Sequence, residues 1–258
     1  MTRLAIRRRR IPRRSSAPSR HVVGSDSDGS PDASLRNHLL LQLETRTREA
    51  LLNRADYIDV PVGGSFARVG DAVATIYFPD SGVFSLISEM TTGHQVGIAA
   101  VGAEGAIGLG ALFGIHHYPH SSVALVPSHG HVVDAARFLR VFRDAEGFQR
   151  VVLAYVGRRM DELSIAAACN RVHSHRQRLA RWLLVATDKA DQRWLPVTHD
   201  ALAQMVGGPR HAVSAALNQL RTRGAIAYGR GRIDVLNRSV LVSEACECYI
   251  TPADAVVP

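Results

Sequence analysis

Arg210, His211 and Ser214 open a segment, RHAVSAALNQLRTRG, in which Val213, Ala216, Leu217 and Leu220 recur in steps of three and four. A helix with that spacing buries one face and turns Arg210, His211, Ser214, Asn218 and Arg221 outward. An arginine in the first turn of an exposed helix can make a bidentate contact to guanine, and the free N–H groups of a helix start attract phosphate. Further on, Arg230 and Arg232 flank Gly231, and basic side chains on a tight turn suit a phosphate backbone. This chemistry is recognition of double-stranded DNA. Arg210, His211 and Ser214 are the base-reading candidates; Thr198, Arg230 and Arg232 are the phosphate-holding ones. A plain helical hairpin followed by a β-hairpin is the alternative.

Other chemistries find less support. The chain has 12 histidines, and His116, His117, His120, His129 and His131 cluster in its middle. His129 and His131 alternate as strand residues do, resembling the paired ligands of a cupin. Asp134 is the only acid nearby where a glutamate is expected, so these histidines read as turn residues. A cupin-like metal protein or a ligand-binding adaptor without DNA contact is the rival reading. Cys169, Cys246 and Cys248 are too few and badly spaced for a disulfide framework or a four-thiolate cluster. No metal and no cofactor is expected. No nucleophile–base arrangement stands out, and the Gly-rich segments lack the Lys-Ser/Thr of a phosphate loop, so an enzyme is not expected.

The elements that must position Arg210 are legible around it. Thr198 is a candidate N-cap for a first short helix with Leu202, Met205 and Val206 on its apolar side. Ala203 is small where two helices approach, Gly207 and Gly208 permit a tight turn, and Pro209 suits the first position of the next helix. Gly224 ends that helix; Ile226–Tyr228, a Gly-Arg-Gly turn and Ile233–Leu236 read as a β-ribbon. Together they resemble a winged helix-turn-helix.

Upstream, LRNHLLLQLETRTREALLNRA (35–55) reads as one or two short amphipathic helices. From Tyr57 to Asp134 short β-rich runs are broken by Gly, Pro, Asp and His, the pattern of a sandwich or jelly roll. Ala135–Arg143 reads as a short helix. Phe148–Arg176 is the longest helical pattern, with a broad stripe of Val152, Tyr155, Leu163 and Ala166 beside Val156 and Met160. It suits a partner helix, and Gln177–Thr187 continues it. Residues 188–196 read as a linker and the end of the chain as a loose tail. The fold class expected is α+β: a disordered tail (1–34), a jelly roll (35–147), a long connecting helix (148–176), a winged helix-turn-helix (177–240) and a tail (241–258).

Charge follows the same division. The net charge of the 258 residues is +8, yet residues 1–20 alone hold eight Arg and no acid. Residues 170–232 hold eleven Lys/Arg against three Asp/Glu, so the rest of the chain carries −8 by difference. A basic C-terminal module beside an acidic partner is the electrostatic footprint of a DNA-binding protein with a separate regulatory part. Segment 1–34 has no apolar h-region and is not a secretory signal; it adds non-specific phosphate contacts or reflects an upstream start. No run of about 18 apolar residues occurs, so no membrane span is expected, and a reducing cytoplasm suits the few cysteines.

FPDSG (78–82), AACNRVHS with QRLARWLL (167–184), the helix-turn-helix and ACECY (245–249) resemble the Crp/Fnr superfamily of bacterial transcription regulators over about residues 35–250. The resemblance implies a homodimer with a cyclic-nucleotide-binding-like jelly roll that senses a signal. Its long helix would pass that signal to two DNA-reading heads, with RNA polymerase and a small-molecule effector as further partners. The departures bear on the effector. Members that bind cyclic AMP hold the ribose with a Gly-Glu pair and the phosphate with an Arg-Ser pair. Here the corresponding positions are Gly105–Ala106, followed by Gly108, and His120–Ser121. Each lost charge-assisted contact is worth about 1.5–3 kcal/mol, so cyclic AMP is expected to bind weakly or not at all. The oxygen-sensing branch needs N-terminal cysteines, and residues 1–168 have none. The family's usual Arg-Glu…Arg reading set is also reduced to Arg210, with His211 and Ala215 in the other places.

Overall fold

The computed structural model describes residues 35–249; the arginine-rich segment 1–34 and the end of the expected tail, 250–258, lie outside it. Two short helices, α1 (His38–Leu41) and α2 (Thr45–Leu52), precede seven strands. These are β1 (Asp56–Val60), β2 (Ser65–Ala67), β3 (Thr75–Pro79), β4 (Val83–Glu89), β5 (Gln95–Val101), β6 (Ser121–Val126) and β7 (Ser128–Asp134). They form two antiparallel sheets, ordered β1-β7-β3 and β2-β6-β4-β5. Alternation along β3 sets the layers. Tyr77 joins Val60, Phe84, Val101 and Ala124 in a core drawn from both sheets. Its neighbours Ile76 and Phe78 face the other way, onto Leu39, Leu40, Phe138, Phe148 and Val152. The expected jelly-roll sandwich is present, with β2 the one strand too short to show a pattern.

The turn FPDSG ties the sandwich to α1. Asp80 is 2% exposed, and its Oδ1 accepts the amides of Arg36 and Asn37, each at 2.8 Å. Its Oδ2 stands 3.1 Å from Nδ1 of buried His131. Asn37 in turn caps α1 and donates to the carbonyls of Pro79 and Gly105 at 2.8 Å. Gly82 has φ 75°, and a side chain there would overlap the Pro127 carbonyl, so only glycine closes this turn.

After α3 (Ala135–Asp144) comes the long α4 (Glu146–Val172), about 40 Å at 1.5 Å per residue. The continuous helix expected over 148–187 is instead two helices, because the chain turns at His173–Ser174 before α5 (His175–Ala190). The Ser174 hydroxyl accepts the Gln177 amide, while the Gln177 side chain accepts the Ser174 amide at 3.1 Å. That capping box gives exposed amides of the new helix start their partners. Two more expectations are corrected. Segment 188–196 contains β8 (Trp194–Leu195), and residues after 237 form α8 (Arg238–Glu244) with Leu241 fully buried. Asn237 caps α8, and buried Glu244 pairs with Arg176 and Arg223, so α8 is anchored. Between them lie α6 (His199–Val206), α7 (Arg210–Thr222), β9 (Ile226–Gly229) and β10 (Arg232–Val235), with sheet order β8-β10-β9.

The C-terminal half packs on the sandwich within the same compact unit. Val126 of β6 belongs to the core of Leu179, Leu183, Leu202, Leu217 and Ile233. Met205 of α6 lies on Gly97 of β5, where any Cβ would overlap its sulfur, and the Ser85 hydroxyl is 2.8 Å from that sulfur. Lys189 of α5 bonds Glu104 at 2.6 Å. Among the described residues no helix is long and apolar enough to cross a membrane.

Burial pushes the Asp80 carboxyl up, but His131 and the two amides outweigh it and hold the group below the usual carboxylate range. Its stabilisation is therefore present above the ordinary carboxylate pKa and lost as pH falls through the depressed folded value. Asp80→Ala orphans the buried Asn37 amide and the part-buried Arg36 amide and should cost about 2–4 kcal/mol at neutral pH. Urea unfolding checks this, and the gap to wild type should narrow below about pH 4.

Candidate nucleic-acid interface

Thr198 is the N-cap of α6, its hydroxyl accepting the Ala201 amide at 3.2 Å. The helix ends at Gly207, φ 68°, and the turn leads through Gly208 to Pro209. Pro209 is the N-cap of α7, with extended φ −68° and ψ 143°, not its first helical residue as the sequence suggested. A proline ring has no acceptor to offer, so the first-turn amides of α7 carry no side-chain cap. Val213, Ala216, Leu217 and Leu220 are buried, as their spacing requires. Arg210, His211, Asn218 and Arg221 are exposed, and half-buried Ser214 holds its Oγ 3.2 Å from His199 Nδ1. Gly224, φ 72°, closes α7: its amide donates to Arg221 O and the Ala225 amide to Leu220 O. That is a Schellman stop.

β9 and β10 are joined by a two-residue turn, Arg230–Gly231, with φ 51° and 76°. Positive φ at both central residues is the type I′ arrangement that matches strand twist. Arg232 lies 4.4 Å over the Trp194 ring and bonds Asp234 at 2.8 Å. Arg221 sits 5.2 Å over Tyr228, whose ring also meets His199 edge-on. Thr198, Arg210, Arg230 and Arg232 line one open cleft of about 440 Å³, together with Asp200 and Tyr228. Four of the six nominated residues thus converge, while His211 and Ser214 continue along α7. Sequence reasoning missed Asp200, Trp194, His199 and Tyr228. Asp200 holds Arg210 at 3.0 Å, both side chains about two-thirds exposed. Such a surface pair is worth about 0–1 kcal/mol, so an incoming phosphate or guanine can displace it.

The five residues nominated in the sandwich lie in tighter surroundings. Gly105 leaves no room for a side chain, because Tyr155 of α4 covers the place its Cβ would take. Ala106 is buried in the core beneath α4. Gly108 has φ 104°, and its missing Cβ would press on Thr75 O and the Tyr118 hydroxyl. Ser121 Oγ accepts the Val69 amide at 3.0 Å. His120 is half-buried, and burial lowers its pKa, which keeps the imidazole neutral at physiological pH. Glu104 does not supply the carboxylate missing at Ala106. Burial pushes it up, yet Lys189 and the Gly102 amide hold it low, pointed toward α5.

The histidines at 129 and 131 are strand residues of β7, not turn residues as the sequence suggested. His129 Nδ1 is 2.9 Å from Ser81 Oγ and His131 faces Asp80, so each already has its own partner. The cysteines, whose spacing in sequence suggests no shared site, lie close together in the fold. Cys169, Cys246 and Cys248 come together with His173, because α8 folds back along α5 to the end of α4.

Residues 177–243 match the family model of the Crp-like helix-turn-helix domain. No curated protein matches the chain in sequence. Among solved structures, a CRP-family transcriptional regulator of Thermus thermophilus is similar at 21% identity and TM-score 0.63, over 73% of this chain and 96% of that one. The c-di-GMP-responsive global regulator CLP of Xanthomonas campestris aligns at 17% identity and TM-score 0.64, over 75% and 100%. FixK2 of Bradyrhizobium japonicum aligns at 15% and 0.64, over 74% and 98%. Fold and matched segment define a winged-helix protein with a jelly-roll partner. Residues 177–243 carry a Crp-like helix-turn-helix domain, and the fold is similar to that of those solved regulators.

Arg230 occupies a left-handed position that costs a side-chain-bearing residue about 1–2 kcal/mol and that asparagine tolerates better. Arg230→Asn should therefore raise stability by about 0.5–1 kcal/mol, read as an increased urea midpoint.

Proposed function

We propose that the chain is a DNA-binding transcription regulator that reads a two-fold site as a homodimer. In this reading Arg210, His211 and Ser214 meet base edges in the major groove. Thr198, Arg230, Arg232 and the uncapped start of α7 hold phosphates on either side. The observation that carries it is the cleft that gathers Thr198, Arg210, Arg230 and Arg232 beside an uncovered, polar recognition face. The strain kept at Arg230 supports it too, since a wing tip selected for stability alone would not place arginine there.

The dimer rests on α4. Its inner side, with Val152 and Tyr155, packs on the chain's own sandwich, while Leu153, Met160 and Leu163 remain 51%, 64% and 43% exposed. Steps of seven and three along one helix make a seam suited to a second copy of itself. Met160→Glu is expected to yield a monomer in sedimentation and to abolish tight binding to a two-fold fragment. RNA polymerase is the partner that such a regulator implies.

Signal input is assigned to the sandwich near Gly105–Gly108 and His120–Ser121. With Ala106 in the core and His120 neutral, cyclic AMP has neither of the charged contacts it would need. Anisotropy of a fluorescent fragment from the gene's own upstream region, at fixed salt, tests the whole reading. Tight binding unaffected by cyclic AMP is expected. Arg210→Ala should weaken it by about 1–3 kcal/mol, roughly 5–150-fold, and Arg230→Ala should lower the salt slope by about one. Unchanged affinity in Arg210→Ala would sink the proposed reading mode, and cyclic-AMP-dependent binding would overturn the pocket argument.

A further inference from the structure

Four soft or borderline donors converge where α4 ends. Cys169 and His173 lie one helical turn apart at the end of α4; Cys246 and Cys248 lie in the segment after α8. One ligand atom from each falls within 4.8 Å of all the others. Cys169 Sγ and Cys246 Sγ are 3.5 Å apart, and Cys248 Sγ is 3.7 Å from His173 Nδ1. Tetrahedral zinc, with Zn–S about 2.3 Å and Zn–N about 2.0 Å, sets its donors roughly 3.5–3.8 Å from one another. Both edges fall in that range, and the other donor pairs lie within 4.8 Å.

The surroundings agree with the donors. Cys169 and Cys246 are 1% and 4% exposed, while His173 and Cys248 are half-buried at the rim. The far nitrogen of His173, Nε2, is 3.1 Å from Glu247 Oε1. A ligating histidine is ordinarily oriented by such a carboxylate on its other nitrogen. Arg181 donates to the Cys248 carbonyl and acts electrostatically on Cys169 and Cys248, which offsets the single negative charge of three thiolates around a divalent cation. A disulfide would use two of the sulfurs and leave the third cysteine and the oriented imidazole without a role. An iron–sulfur cluster needs space for its own iron and sulfide atoms at the centre, and these donors surround a single point.

We infer that Cys169, His173, Cys246 and Cys248 form a closed Cys3His structural site for one zinc ion. Binding releases the thiol protons, and all four positions are taken by protein, so no open position remains for catalysis. The ion would staple the C-terminal segment to the last turn of the long helix, beside the corner at His173–Ser174.

Untagged full-length protein, purified under reducing conditions, should contain about one zinc per chain by elemental analysis. Exchange for cobalt should give visible tetrahedral d–d bands with thiolate charge-transfer absorption. The double variant Cys246→Ser, Cys248→Ser should lose the metal. Glu247→Gln, which keeps all four ligands and the fold, should weaken zinc roughly 10–100-fold in a chelator competition. Wild-type protein that takes up neither zinc nor cobalt after reduction would overturn the inference, as would a Cys169–Cys246 disulfide in the isolated metal-free protein. The cobalt spectrum concerns the wild-type chain alone, so a variant that fails to fold does not blunt the test.

Discussion

Everything after the sandwich depends on the burial of one face of α5. Leu179, Leu183 and Leu184 are fully buried there, and each is worth about 1.5–3 kcal/mol against exposure. The same face supplies the floor for α7, the backing for α8 and the contact with β6 through Val126. Arg178, on the same helix, donates to the Gly207 carbonyl at 3.0 Å and reaches Asn170 at the end of α4. One helix therefore carries the helix-turn-helix, fixes the turn before Arg210 and joins both to the long helix.

What the sequence revealed and what it hid follow from how local each feature is. α7 was legible because its buried face, its Schellman stop and its exposed arginines all lie within one short segment, 210–224. The sandwich strands were legible as short β-rich runs set off by turn residues, except β2, whose three residues are too few to form such a run. The break at Ser174 was hidden because the apolar pattern runs on across it, and only the Ser174–Gln177 cap marks the start of a second helix. β8 and α8 read as linker and tail because each gains its stability from distant partners, Ile233 for the one and α5 for the other. The same reason hid the Cys169–Cys248 cluster: ligand spacing in sequence is readable when a loop carries all the ligands, not when a fold brings two segments together.

The proposed reading face is held by weak and revocable contacts, in contrast to the core behind it. Arg210 is held by exposed Asp200, and Arg232 by Trp194 and Asp234, so the arginines are oriented without being neutralised in a dry environment. On the sandwich side the opposite holds. Asp80, Glu104 and His131 are committed to partners within the fold.

Val126 and Met205 have a thermodynamic consequence. A chain assembled from a sandwich and a winged helix would ordinarily melt in two steps, each module losing its own core. Here a β6 residue sits inside the helical core, and an α6 residue sits on a glycine of β5. Unfolding either half strips apolar cover from the other. Heat capacity and denaturant slope should report one cooperative unit whose size is set by the described chain and not by either module.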